Sequence, residues 1–407
     1  MYKTGLIRIL FNFQARNKND LFLHYYNVGK LLSIANKVKD RLYIELINYN
    51  NKDFGNHLLS PPNSSPILNS NNNVIKAHKL YNDIFVADSR LFINKDKLME
   101  FDDDKSPSTI VRENIEPLKN LENIFFNYYQ ILYNANPRLD VSIIPLELLD
   151  HNNNSLYSPP NSSPFHHHHL KHIKTPIDVL FVDSLDKEAQ AKELGSVNND
   201  RLVRNQIPIK NVETVDQDFF YPKSYFDPSL IGKDIKKWNP PFKGVVLGGT
   251  YDRMHPGHKV MLTISSLICS EYMEVGVTDN SILKKKKYSE LIEPFEYRSE
   301  KTQNFLQSIN PNVEYNMLKL VEPYANTMTS KRLECIVISP ETFSTAIKIN
   351  EVRRETNLKP LEIYSISYFD THHQGEDFKL SSSYLRELDF KAMQKEKEQQ
   401  TEKEQQK

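Results

Sequence analysis

The residues best suited to chemistry lie in one string, GGTYDRMHPGHKVML, from Gly248 to Leu262. Gly248 and Gly249 permit close approach of a ligand to the backbone, and Pro256 suits the first turn of a helix. A helix start presents unpaired N–H groups and the positive end of its dipole, so a phosphate placed there is stabilised without further devices. His255 and His258 stand three apart at that start, on one helix face. Together they could contact a triphosphate. Either feature alone has a plainer explanation, since paired glycines are often only a turn and a histidine at a helix start is often only a surface residue. The whole string, in order, carries the reading.

Such a string works only if elements on either side hold it. GVVLGG, Gly244 to Gly249, reads as a short buried strand, and His255 to Ser270 reads as the helix after it. Met273 to Thr278 follows as a strand, Pro294 to Ile309 as a helix, and VEYNMLKL and Cys335 to Ser339 as strands. Thr342 to Thr356 reads as a helix, LEIYSIS as a strand, and a last short helix begins near Ser383. Strands alternating with helices of this length imply βαβ units, hence an α/β fold with a doubly wound parallel sheet. In such sheets ligands collect at the carboxyl ends of the strands.

The first half alternates as well. Strand-like GLIRILF, RLYIELI, VSIIPLELL and IDVLFVD are interleaved with helical patterns over Leu21 to Val38 and Ile115 to Tyr133. A second α/β domain, residues 1–220, is therefore expected ahead of the string, with no phosphate loop of its own. Within it the peptide SPPNSSP occurs twice, at Ser60–Pro66 and Ser158–Pro164, beside Asn and His runs. Composition of that kind buries no core, so disordered insertions are expected near 52–74 and 151–174. The His166–His169 tract with His172 lacks partner ligands at structural spacing, and no metal site is expected there. Residues 221–241 read as a linker, 242–390 as the domain carrying the string, and 391–407 as a polar tail or frayed helix.

A chain of 407 residues accommodates two domains. Its formal net charge of zero gives no electrostatic case for nucleic acid or an anionic membrane. No apolar run approaches the ~18 residues needed to span a bilayer, so a membrane span is not expected. Only Cys269 and Cys335 are present, which fits a reducing, cytoplasmic setting rather than a disulfide framework.

The Gly248–Leu262 string resembles the HxGH signature of the nucleotidylyltransferases. KLSSSYLRE, Lys379 to Glu387, resembles the serine-rich helix start followed by Arg that closes the nucleotide site in that superfamily. VGVTDNSILKKK followed by ELIEPFEYR, then EPY, and SPET followed by AIKINEVRRE are similar to the eukaryotic phosphopantetheine adenylyltransferases, over Gly244 to roughly Leu388. The similarity includes the adenylyltransferase part of bifunctional coenzyme A synthases. Thr345 and Ala346 stand before Asn350 where glycines are expected, and HPGH agrees with the superfamily consensus.

The resemblance implies a Rossmann-like sheet of the nucleotidylyltransferase type and transfer of an adenylyl group from ATP, with Mg²⁺, to 4'-phosphopantetheine. It implies nucleotide contacts from Gly248, Gly249, Thr250, His255, His258, Ser381, Ser382, Ser383 and Arg386, and acceptor contacts from Thr250, Lys284, Lys286 and Arg298. His258 and Lys286 take the catalytic roles, with Lys284 the second choice in the Lys284–Lys287 run. Asp252 is expected to orient the loop rather than bind metal. No GxxxxGK[ST] occurs in the chain, so a fused kinase is expected to be absent and a separate dephospho-coenzyme A kinase to be among its partners. The competing readings are transfer to another phosphorylated acceptor, from ATP or CTP, and a non-catalytic scaffold of a coenzyme A biosynthetic complex.

Overall fold

The computed structural model describes residues 1–11, 22–48, 109–145, 175–203, 205–220, 239–322, 324–366, 370–373 and 376–405. The insertions expected near 52–74 and 151–174, and residues 221–238 of the expected linker, lie outside the described residues. The chain divides into two compact units, Met1–Asn239 and Pro240–Lys407.

In the first unit β1 (Tyr2–Phe11), β2 (Val38–Asn48), β3 (Asp140–Pro145), β4 (Val179–Val182) and β5 (Asn211–Thr214) form one sheet in the order β3-β2-β1-β4-β5. Every pairing is parallel. Parallel strands need crossovers, supplied by α1 (Phe22–Ala35), α2 (Thr109–Ala135) and α3 (Lys187–Val203). Runs such as VLFV are buried along their whole length, as expected for a sheet covered on both faces. α3 and β5 were not among the elements expected from the sequence.

The second unit repeats the plan. β6 (Phe242–Gly249), β7 (Cys269–Thr278), β8 (Glu314–Leu320), β9 (Cys335–Ile338) and β10 (Glu362–Ser365) form a second parallel sheet, ordered β10-β9-β6-β7-β8. Its first strand is central; the next two run outward on one side and the last two on the other. The sense of winding reverses between β6 and β9, and α/β sheets place their crevice at such a point. α4 (Pro256–Ile268), α5 (Phe295–Ile309) and α6 (Phe343–Glu355) connect the strands. The expected α/β fold with doubly wound parallel sheets is what the chain adopts.

Gly244 permits the β6 backbone to approach its neighbour, since a Cβ there would stand 1.8 Å from the Arg332 carbonyl oxygen. Thr345 and Ala346 lie inside α6, and Ala346 is fully buried against Val246 and Ile349 of the same core. An antiparallel hairpin unforeseen from the sequence, β11 (Asp370–His373) with β12 (Glu376–Lys379), precedes the last helix. That helix, α7, runs from Ser382 to Gln405, not the short element expected near Ser383. Its outer half is rich in Lys, Glu and Gln, which are strong helix formers, and Glu387 pairs with Lys391 one turn on. Among the described residues no helix is long and apolar enough to cross a membrane.

Candidate active site

β6 ends in Gly248-Gly249, beside the end of β7, where the Thr278 hydroxyl donates to the Gly249 carbonyl at 3.1 Å. The next six residues reverse the chain into α4. Tyr251 and Arg253 do so in the left-handed region, at φ 49° and 46°. A bulky residue held there is strained, and surrounding contacts must keep it in place. The Tyr251 side chain is buried and its ring centroid lies 5.5 Å from that of His258.

His255 caps α4 through its backbone with no side-chain cap bond, and Pro256 occupies the first turn. The N–H groups at this end therefore point outward from the sheet's carboxyl edge. The His255 and His258 rings are stacked, with centroids 4.0 Å apart and planes tilted by 30°. Burial lowers the His258 pKa to about 4, with Lys286 adding to the shift and Asp252 opposing it. The imidazole is thus neutral at pH 7. Its Nδ1 is buried and makes no hydrogen bond.

The lysine run is sorted by the structure. Lys286 is exposed as a residue, yet its ammonium reaches inward to donate to the Thr250 hydroxyl at 3.0 Å. Loss of surrounding water, and then the charge of Arg386, lowers its pKa. Lys287 instead pairs with Glu387 at 2.8 Å, and Lys284 and Lys285 lie exposed on the turn.

The serine-rich segment closes the other side. Ser381 accepts from the Tyr384 N–H through its hydroxyl at 3.3 Å, a side-chain cap for α7. Ser382 donates to the Asp252 carbonyl at 2.7 Å, while exposed Ser383 accepts from Arg386 at 2.9 Å. Arg386 is 1% exposed, and its Nη1 donates to Asp252 Oδ2 at 2.6 Å. Asp252, itself fully buried, also accepts through Oδ1 from the Glu293 N–H and from Arg253.

Arg298, expected at the acceptor, is fully buried within α5 and turned towards the strand ends. It donates to the carbonyls of Thr250, Thr278 and Glu293 and to Asn280 Oδ1. The structure therefore gathers Gly248, Gly249, Thr250, His255, His258, Lys286 and Ser381–Ser383 around one edge, places Arg386 and Arg298 behind them, and leaves Lys284 on the rim. Sequence reasoning missed the roles of Tyr251, Thr278 and Glu293. Each lies in a quoted segment, GGTYDRMHPGHKVML, VGVTDNSILKKK and ELIEPFEYR, which marked its place but not its role.

A family model described as cytidylyltransferase-like matches residues 246–388. A phosphopantetheine adenylyltransferase of Saccharomyces cerevisiae is 34% identical over 157 residues, covering 38% of this chain and 50% of that protein. One from Pyrococcus furiosus is 37% identical over 145 residues, covering 36% of this chain and 88% of that protein. One from Thermococcus gammatolerans is 37% identical over 126 residues, covering 31% of this chain and 78% of that protein. The chain thus spans about half the length of the yeast relative and most of the archaeal ones.

Proposed function

The chain belongs to the phosphopantetheine adenylyltransferase family, and from that premise we propose that it transfers the adenylyl group of ATP to 4'-phosphopantetheine, releasing pyrophosphate and forming dephospho-coenzyme A. The observation that carries this reading is the convergence of Lys286, Thr250 and the His255–His258 pair at the carboxyl edge of β6, beside the start of α4.

In the reaction an oxygen of the acceptor phosphate bonds to the α-phosphorus of ATP, and the bond from that phosphorus to the β-phosphate bridging oxygen breaks in line. The electron pair leaves with pyrophosphate. A phosphomonoester with a second pKa near ~6 is already largely a dianion at neutral pH, so no general base is needed. Positioning and charge stabilisation remain as the protein's work. Thr250 and Lys286 hold the acceptor phosphate, and Lys286 spans from it towards the α-phosphate. His258, neutral beforehand, donates a hydrogen bond there and gains a proton more readily as negative charge approaches. His255 and the α4 N–H groups hold the nucleotide phosphates, and exposed Ser383 donates from the α7 side.

Asp252 has both oxygens taken by Arg386, Arg253 and the Glu293 N–H, so it is poorly placed to bind a metal. Mg²⁺ in this reading is held chiefly by the oxygens of the triphosphate, whose charge it offsets. The product still lacks its final phosphate, so a kinase that adds it is the partner this reading implies.

The test is pyrophosphate release from ATP with 4'-phosphopantetheine, run beside nicotinamide mononucleotide and phosphocholine, and repeated with CTP. Dephospho-coenzyme A formed from ATP and phosphopantetheine alone is the expected result. Turnover with another pair reassigns the substrate, and no turnover with any pair rejects the reading in favour of a scaffold.

A further inference from the structure

Arg386 and Lys286 both stand near the phosphate-facing loop, yet they are held in opposite ways. Each of the three Arg386 nitrogens already donates within the protein: Nη1 to Asp252 Oδ2 at 2.6 Å, Nε to the Lys287 carbonyl at 3.1 Å, and Nη2 to the Ser383 hydroxyl at 2.9 Å. Those partners come from three separate segments: the loop after β6, the lysine run, and the first turn of α7. Lys286, by contrast, is exposed and makes one hydrogen bond, to Thr250.

Asp252 is the complementary hub. Its carboxylate binds Arg386, Arg253 and the Glu293 N–H, and its carbonyl accepts from Ser382 at 2.7 Å. Arg253 reaches on to Asp389 at 2.6 Å, so a second strut joins the same loop to α7. A charge pair buried this deeply, 1% and 0% exposed, is costly to separate, because Arg386 would lose its only carboxylate partner among the described residues and Asp252 would keep only Arg253 as a charged one.

Resting on the adenylyl-transfer reading, we infer that Asp252 and Arg386 form a positioning pair: they fix the histidine loop, the lysine run and the serine-rich helix start at working distances, while Lys286 supplies the cation that touches phosphate. Arg386 acts through Asp252 and the Lys287 carbonyl. Its planar fork serves three acceptors at once, which a lysine ammonium at the same site has no geometry to do.

The experiment uses the full chain and compares Asp252→Asn, Arg386→Lys, the double variant and Lys286→Ala with wild type. Expected are kcat losses of about 10-fold to 100-fold for Asp252→Asn and for Arg386→Lys, with KM for ATP changed less than about threefold. The double variant should be no slower than the worse single one, because both remove the same link, and Lys286→Ala, which removes the cation itself, should lower kcat at least as far as either. Retention of kcat in Arg386→Lys overturns the inference, because charge alone would then suffice. So does a rise in KM for ATP at unchanged kcat, or losses that multiply in the double variant.

Amide hydrogen exchange provides a readout without turnover. Exchange in Asp252→Asn should quicken at residues 284–288 and 381–386, and unchanged protection at both segments overturns the pair. Absence of turnover in wild type rejects the adenylyl-transfer reading by itself, while the exchange result still decides whether the two residues hold the segments together.

Discussion

On β1, Arg8 lies directly across the strand pair from Glu45, and the two meet at 2.7 Å with side chains 4% and 0% exposed. In the loop just past β6, the central strand of a sheet with the same strand order, Asp252 meets Arg386 at 2.6 Å, equally buried. The first pair joins neighbouring strands of one sheet. The second joins a loop at the sheet's open edge to a helix 134 residues away in sequence. Lys30 of α1 meets Asp183, the residue after β4, also at 2.7 Å, but Asp183 is 35% exposed, so that pair is only partly buried. The second unit instead spends its buried charge on holding loops that carry Thr250, His258 and Lys286. Strand order alone therefore sets no chemistry; the loops at the carboxyl edge do.

The sharpest way to break that comparison pairs His258→Ala with Arg8→Met. Turnover with ATP and phosphopantetheine should fall about 100-fold to 1000-fold in the first, at a denaturation midpoint close to wild type. Arg8→Met should instead cost about 3 kcal/mol in denaturant unfolding, because Glu45 stays buried without its partner, while kcat per folded molecule holds. An Arg8 variant that folds well and turns over poorly would show that the first unit takes part in the reaction.

Glycine substitutions test whether each unit is equally dependent on close approach. A Cβ at Gly244 would meet the Arg332 carbonyl oxygen at 1.8 Å, and one at Gly29 would meet the Phe219 ring at 1.9 Å. A backbone oxygen is less able to retreat than a side-chain ring. Gly244→Ala should thus cost about 3 to 4 kcal/mol and Gly29→Ala about 2 to 3, measured by calorimetry, with the reverse order counting against the argument.

A pH titration compares a histidine in each unit, the buried His24 and the half-buried His258. Burial lowers the pKa of His24 to about 3 and that of His258 to about 4. Both values lie below the usual 6.5, so the unfolded chain binds more protons than the folded one in acid. The stability gained by keeping each ring neutral is full above about pH 6.5 and is lost as pH falls towards 4 for His258 and towards 3 for His24. Pyrophosphate should raise the His258 value and leave that of His24 unchanged in an NMR titration, since His24 is enclosed with Tyr128 and Asn27 in the first unit. A shift in both, or in neither, removes His258 from the phosphate site.

What was legible in the sequence was whatever depends on neighbours along the chain. The β6–turn–α4 string is local, so its glycines, Pro256 and the two histidines were read from spacing. The alternation of strands and helices was likewise visible in apolar runs, and it led to the right fold class. The left-handed turns at Tyr251 and Arg253 were not legible, because no residue type there demands them. The resemblance reads Arg298 and Arg386 as cations near phosphate, but whether a guanidinium faces ligand or protein depends on acceptors far along the chain. The length of α7 differs from the expectation for another reason: a surface polar all round suggests fraying, while its helix formers and the Glu387–Lys391 pair favour continuation.

The smallest expected effect concerns the pair Lys243–Glu271, at 3.1 Å and with side chains 71% and 58% exposed. Water competes for both groups and salt screens them, so Lys243→Ala should change stability by less than about 1 kcal/mol. Lys243 lies within β6, immediately before the buried Gly244–Leu247 stretch that leads to the site, so proximity to chemistry makes no difference to the expectation. Equal unfolding midpoints at low and high salt in the variant, against a slight salt dependence in wild type, would agree. A loss as large as that of Arg8→Met would mean that exposed charge on the second sheet carries weight, and the contrast drawn between inward and edge-directed pairs would have to be rebuilt around strand ends.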